Sequence, residues 1–267
     1  MGKNRIHGYE NWGKEHVSTR DDEQLFTAYK QADFMHKTYY SFSENSSILF
    51  NTQFATSSNI NRFDKLNDIK NGLPKYSDWY YGPQKRFLQS IKYSNFKENL
   101  LFNKFNTLAS YQNVTESRHK RKYGESELSN RIENVLIYDL AFDFQKSYKK
   151  INLNYGAGIR EQQIESKANI TTNNNTFYNT SRYPDGGSSV RDIYTYGKLK
   201  LPINKKIKLT IGSRYNRNYL QANFEDTLTF NFPFNKVKNN NSSLIKSINL
   251  SFKIGNKNNL NLAYYGG

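Results

Sequence analysis

Asn134-Val135-Leu136-Ile137-Tyr138-Asp139-Leu140-Ala141-Phe142-Asp143-Phe144 is the stretch whose reading decides the fold of this chain. Successive side chains of an extended strand point to opposite sides, so a period of two separates its faces. Leu136, Tyr138, Leu140, Phe142 and Phe144 share one face, while Asp139 and Asp143 lie on the other. A tight turn over Gln145 to Lys150 follows. Ile151, Leu153, Tyr155, Ala157 and Ile159 then alternate with Asn152, Asn154, Gly156, Gly158 and Arg160. The pair reads as a hairpin with one greasy and one wet face.

The pattern repeats along the chain. Ile207, Leu209, Ile211, Ser213 and Tyr215 oppose Lys208, Thr210, Gly212, Arg214 and Asn216; Ile248, Leu250, Phe252 and Ile254 oppose Asn249, Ser251 and Lys253. In strand 190–201 the faces stay open, because Ile193 and Leu199 share a side with Gly197 while Tyr194 and Tyr196 sit opposite. Tight reversals are expected at Ser43 to Ser47, Phe96 to Asn103, Gln145 to Lys150, Pro202 to Lys206 and Gly255 to Asn259. They give ten strands: 31–42, 48–57, 85–95, 104–114, 132–144, 150–162, 190–201, 206–220, 244–254 and 259–266. Between them lie long polar loops at 58–84, 115–131, 163–189 and 221–243. Pro74, Pro83, Pro184, Pro202 and Pro233 all fall in loops or turns, as residues unable to donate to a ladder should. Aromatics flank four of the five tight turns, as girdles do in membrane barrels. Short turns at one end and long loops at the other predict an all-β, antiparallel, up-and-down transmembrane β-barrel. Ten strands make an incomplete larger barrel, an open curved sheet if taken alone.

Composition agrees with strands rather than helices in the membrane. Hydrophobic residues are 36% of 267 and mean hydropathy is −0.88, yet aromatics reach 15%, too many for a disordered chain. Only alternate strand residues need to face lipid, and no run approaches the roughly 20 apolar residues of a membrane helix. Cysteine is absent, which excludes disulfides and thiolate chemistry. The start, Met1-Gly2-Lys3-Asn4-Arg5, has no apolar core behind its charges and is not a secretory signal peptide. An exported protein needs one, so a fragment is expected. The net charge of +16 is scattered, except for Ser117-Arg118-His119-Lys120-Arg121-Lys122 in an expected loop. That run reads as solvated charge near anionic lipid head groups and lipopolysaccharide, and no nucleic-acid partner is expected.

Catalytic chemistry has little support. His7, His16, His36 and His119 lack metal-ligand spacing, no serine sits in a nucleophile elbow, and no cofactor is implied. Gly156 and Gly158 lie inside a strand, not before a helix, and should thin its wet face to leave room for something packed inside. Arg160 and Arg214 should face that interior and pair with acidic groups filling it. Three loop stretches are ligand-contact candidates: Trp79, Tyr80 and Tyr81 by stacking, Arg118 and His119 by charge, and Arg182, Tyr183 and Asp185 beside a Pro184-Asp185-Gly186 turn signature.

His7-Gly8-Tyr9-Glu10-Asn11-Trp12, Trp79-Tyr80-Tyr81-Gly82-Pro83-Gln84, Glu116-Ser117-Arg118-His119, Arg182-Tyr183-Pro184-Asp185-Gly186-Gly187 and Gly212-Ser213-Arg214-Tyr215-Asn216 resemble the barrel of TonB-dependent outer-membrane receptors of the Bacteroidetes type. The resemblance implies a large barrel around a plug, energised by a TonB-type inner-membrane partner. It also implies capture of a scarce nutrient of the ferric siderophore, haem or cobalamin class. Barrels of that kind have about 22 strands. The expectation is therefore one partial barrel domain over 1–267, without its plug. The rival expectation is a secreted or surface β-sheet protein whose basic face binds acidic polysaccharide.

Overall fold

The computed structural model describes residues 27–66, 68–226, 231–255 and 258–267, and the backbone of 9–10 and 14–15. Apart from Tyr9–Glu10, the stretch His7 to Trp12 lies outside the described residues, as does His16. Ten long strands follow one another as an antiparallel meander. They are β1 (Gln31–Ser43), β2 (Ser46–Ser57), β3 (Lys85–Asn95), β4 (Lys104–Lys122), β5 (Leu128–Tyr148), β6 (Ile151–Thr171), β7 (Ser188–Pro202), β8 (Ile207–Asn223), β9 (Lys236–Ile254) and β10 (Asn258–Gly266). Each pairs with its neighbours in the chain, and the sheet is open between β1 and β10. The ten expected strands and five tight turns are all present. Two-residue connections at Glu44-Asn45 and Lys149-Lys150 make the sharpest reversals, with Lys149 at φ 50°.

Among the described residues the long strands form one layer. Apart from Pro74, Ala222 is the only buried hydrophobic side chain among them. No second sheet or helix layer of the described residues covers the greasy face: Leu140 is 38% exposed, Phe142 37% and Ile211 42%. Directly opposed residues of neighbouring strands share a face. Register therefore aligns Phe50, Ile91, Ala109, Leu140, Ile159 and Ile193 on one apolar row. Beyond Ile193 the same row meets Arg217 and Ser242. There the apolar residues lie nearer the short turns, as Leu201-Leu209-Leu250-Leu262 and Leu199-Ile211-Ile248-Tyr264. A level band that slides across hydrogen-bonded rows is what strands tilted against a barrel axis produce. Near the short turns, Phe102, Phe105, Phe144 and Tyr155 form a continuous aromatic run, Phe105 stacking on Phe144 at 4.7 Å and Phe144 on Tyr155 at 4.9 Å.

The opposite face is polar across the sheet. Lys37, Asn51, Ser90, Ser110, Asp139, Arg160, Asp192, Asn218 and Asn241 form one row. Arg160 is held by Asp139 at 2.6 Å and Asn218 donates to Asp192 at 2.6 Å. Arg160 thus finds its acid within the sheet rather than on a filling body. Arg214 meets no acid among the described residues; it lies 4.0 Å over the Tyr194 ring and donates to Asn216. Register also assigns the open strand: Ile193, Gly197 and Leu199 face the greasy side, Tyr194 and Tyr196 the wet side. Those two tyrosines correct the expectation for Gly156 and Gly158. The space is already filled, because a Cβ at Gly158 would lie 2.6 Å from Tyr194 Cζ and one at Gly156 2.7 Å from Tyr196 Cε1.

The expected loop 115–131 is largely strand, and the strands also reach into both ends of 163–189 and 221–243. β4, β5 and β6 run for 19, 21 and 21 residues, about twice the roughly 9–11 that cross a membrane. The backbone ladder continues where the apolar alternation stops, since hydrogen bonding between strands does not require a greasy face. On the once-apolar side, His119 Nδ1 donates to Asn130 Oδ1 at 2.6 Å. Asn130 Nδ2 in turn donates to Asn169 Oδ1 at 2.8 Å. Both faces are wet there.

Two outcomes test this arrangement in the protein folded into lipid. Leu140→Arg should cost about 2–4 kcal/mol in a denaturant titration, and Ser243→Arg on the wet face far less. Equal costs would deny the two-solvent assignment. Gly158→Leu should lower stability by about 1–3 kcal/mol by displacing Tyr194, and Tyr194→Ala in the same chain should recover most of it.

Candidate functional site

At the long-loop end, a short strand, Tyr76–Tyr81, pairs with the upper half of β4, setting Tyr81 opposite Arg118, Tyr80 opposite His119 and Trp79 opposite Lys120. Alternation then divides the candidates. Trp79, Tyr81 and Arg118 share the wet face, whereas Tyr80 and His119 share the other. The basic run is divided likewise, since it lies in a strand and not in a loop; Arg121, on the His119 side, pairs with Asp78 at 3.0 Å.

On the wet face the aromatics and guanidiniums assemble around Tyr81. Trp79 meets Tyr81 edge-on at 5.5 Å, and Arg118 lies 5.3 Å over the Tyr81 ring. Arg62, which the sequence reading passed over, lies 4.7 Å over Trp79 and 5.4 Å over Tyr81, and donates to Tyr81 Oη at 2.6 Å. Asp64 grips Arg62 with both oxygens at 2.7 Å, and that grip holds the Asp64 carboxyl below its ordinary range. A fork-shaped cation held flat between two rings presents a rigid, π-rich surface. No spacing in the sequence marks Arg62; a four-residue helical turn at Phe63–Leu66 places it.

On the other face the Tyr80 ring stacks on His119 at 4.7 Å. Both His119 nitrogens are engaged, Nδ1 with Asn130 and Nε2 with Ser117 Oγ at 2.8 Å. Burial and the nearby Asp78 carboxylate push the Tyr80 phenol up. This half of the cluster braces the short strand against β4.

Arg182, Tyr183 and Asp185 stay in a connection, 172–187, that folds back over the sheet. Pro184 to Gly187 closes a turn (Gly187 N to Pro184 O 3.0 Å), with the positive φ of 85° at Gly187. Asp185 accepts from the backbone N–H groups of Glu225 and Asp226 at 2.9 and 2.8 Å, tying two loops together. Beneath the connection lies Glu133, 5% exposed, with neither oxygen hydrogen-bonded. Arg182 approaches it to 3.7 Å, Arg131 donates to Thr180 O at 3.1 Å, and Tyr183 N–H donates to Ser166 Oγ at 3.4 Å. Burial pushes the Glu133 carboxyl above its ordinary range despite Arg182 and Arg118, with Glu116 adding to the rise. Sequence patterning missed Glu133, since one carboxylate on a wet face looks like any other.

A raised carboxyl means that the folded state favours the proton. Stability from this group is full below the unfolded value and is lost as pH rises through the folded one. Glu133→Gln should therefore be the more stable protein at neutral pH. Its advantage should shrink as pH falls through the carboxylate range, read as the difference between the two denaturation midpoints. A constant difference would mean that Glu133 is not desolvated.

No protein-family model and no curated protein matches the sequence. Solved structures do. The siderophore receptor PiuA from Acinetobacter baumannii is 14% identical with a TM-score of 0.64, over 98% of this chain and 43% of that one. The ferric citrate transporter FecA in its unliganded form is 15% identical with a TM-score of 0.63, over 90% and 36%. The copper transporter OprC is 10% identical with a TM-score of 0.65, over 88% and 35%. The chain thus spans less than half the length of these structures. Its open, one-layer meander has the fold of part of the barrel of TonB-dependent outer-membrane receptors.

Proposed function

We propose that this chain is a partial barrel domain of an outer-membrane receptor that captures a scarce nutrient at its outer mouth without bond-breaking chemistry. The observation that carries the reading is the uncovered greasy face, backed by a continuous polar row on the other side of the same single layer. Such a sheet needs lipid against one face and water against the other. Outer-membrane lipid and lipopolysaccharide are then its surroundings. Transport draws energy from a TonB-type partner acting through a plug. The nutrient is of the ferric siderophore, haem or cobalamin class. Trp79, Tyr81 and Arg118, joined by Arg62, offer the stacking and cationic contacts; Tyr80 and His119 hold that strand from behind. The 172–187 connection, with Arg182, Tyr183 and Asp185, covers the neighbouring stretch of the wet face. A secreted sheet protein for acidic polysaccharide fits less well, because water would meet the greasy side.

Deleting the gene should abolish growth on one of ferric siderophores, haem or cobalamin as the limiting nutrient. The full-length protein with 172–187 replaced by a short Gly/Ser linker should fail to restore it. Tyr81→Ala should weaken binding of that nutrient by about 1–2 kcal/mol, the worth of the lost ring contacts. Undiminished growth on all three after deletion ends the receptor reading.

A further inference from the structure

We infer that the wet face beside Trp79 carries a binding site for a soluble, multiply charged oxyanion. The inference rests on the receptor reading for its biological use, but not for its chemistry. The β2–β3 connection, the β4–β5 hairpin and the Ile170–Asn179 stretch converge around a cavity of about 340 Å³. The β2–β3 connection is docked there by Tyr123 N–H to Lys75 O at 3.2 Å and Ser77 Oγ to Lys122 O at 3.3 Å. It contributes Lys70 and Lys75, while the hairpin contributes Lys120, Lys122 and Arg131. Against these five cations stand two carboxylates, Glu125 and Glu127, and Glu125 is taken by Lys122 at 3.1 Å.

Of the remaining cations only Arg131 lies near a further carboxylate, that of Glu133. Lys70 and Lys120 have no acidic partner among the described residues, Lys75 lies 5.3 Å over the Tyr76 ring, and Arg131 spends its Nε on the Thr180 carbonyl. A charge run on a loop is most often solvated and dispersed. Here backbone and side-chain hydrogen bonds hold the segments that carry the charges round one hollow, so an anion bound there meets several cations at once. The volume suits a small ligand. Lys120 stands opposite Trp79, so a bound oxyanion could also touch the ring cluster. The lysines offer point charges with rotatable donors, which suits phosphate or clustered carboxylates better than one planar carboxylate. Because Lys120, Ser129 and Arg131 lie on the wet face, the site opens away from the lipid side where lipopolysaccharide sits.

The test uses the full-length protein in detergent, with sodium tripolyphosphate as probe and spermine as control in calorimetric titrations. Saturable tripolyphosphate binding, weakened by added salt and by about tenfold or more in Lys70→Glu/Lys120→Glu, is the expected result. Heat-modified mobility of the variant shows that it has folded, and Lys198→Glu, remote on the wet face, should bind as the parent does. Equal binding by the parent and the double variant would overturn the site, as would binding by lipopolysaccharide but not by tripolyphosphate. If growth after gene deletion is unaffected yet the titration succeeds, the site stands and the transport reading falls.

Discussion

A single sheet with no second layer has to be solvated differently on its two sides, and everything else in this protein follows from that constraint. Leu140, Ile159 and Ile193 are more than a third exposed because none of the described residues covers them. Asp139, Arg160 and Asp192, one residue out of phase on the same strands, are satisfied by one another and by Asn218. Water on both sides would leave a large apolar surface wet, and hydrocarbon on both sides would desolvate charges at several kcal/mol each. Only the boundary between the two media accommodates both. The same constraint bears on the edges. Among the described residues β1 and β10 each pair on one side only, and backbone groups placed in hydrocarbon need partners.

Away from the apolar band the constraint relaxes and the chemistry changes. β4, β5 and β6 continue as strands, but their outward side chains become His119, Asn130 and Asn169, which bond one another instead of lipid. There the ladder serves as scaffold. It carries the short strand Tyr76–Tyr81, turns its aromatics alternately inward and outward, and makes room for Arg62 between Trp79 and Tyr81. Trp79, Tyr81 and Arg118 of the candidate site thus stand on extended sheet, which fixes the directions of their side chains.

Packing on the wet face is tight where glycine allows it. Tyr194 and Tyr196 lie over Gly158 and Gly156, filling what would otherwise be interior space. Farther up, the 172–187 connection covers Glu133 and Ser166, burying a carboxylate with only a loose guanidinium nearby.

Period-two alternation and the turn residues were enough, from sequence, to set the ten strands, their order and the greasy face of Leu136 to Phe144. Both signals are local, and in an up-and-down meander local pairing is the whole topology. Three things needed the tertiary structure. The upper halves of β4, β5 and β6 have two polar faces, so no alternation betrays them, and only the pairing partner shows that they are strand. The face of β7 depended on its register with β6, which set Tyr194 and Tyr196 against Gly158 and Gly156. The candidate cluster joins Arg62, Tyr81, Arg118 and Lys120 from segments far apart in the chain. Such convergence is a property of chain crossings in space, and residue spacing along one dimension carries no trace of it.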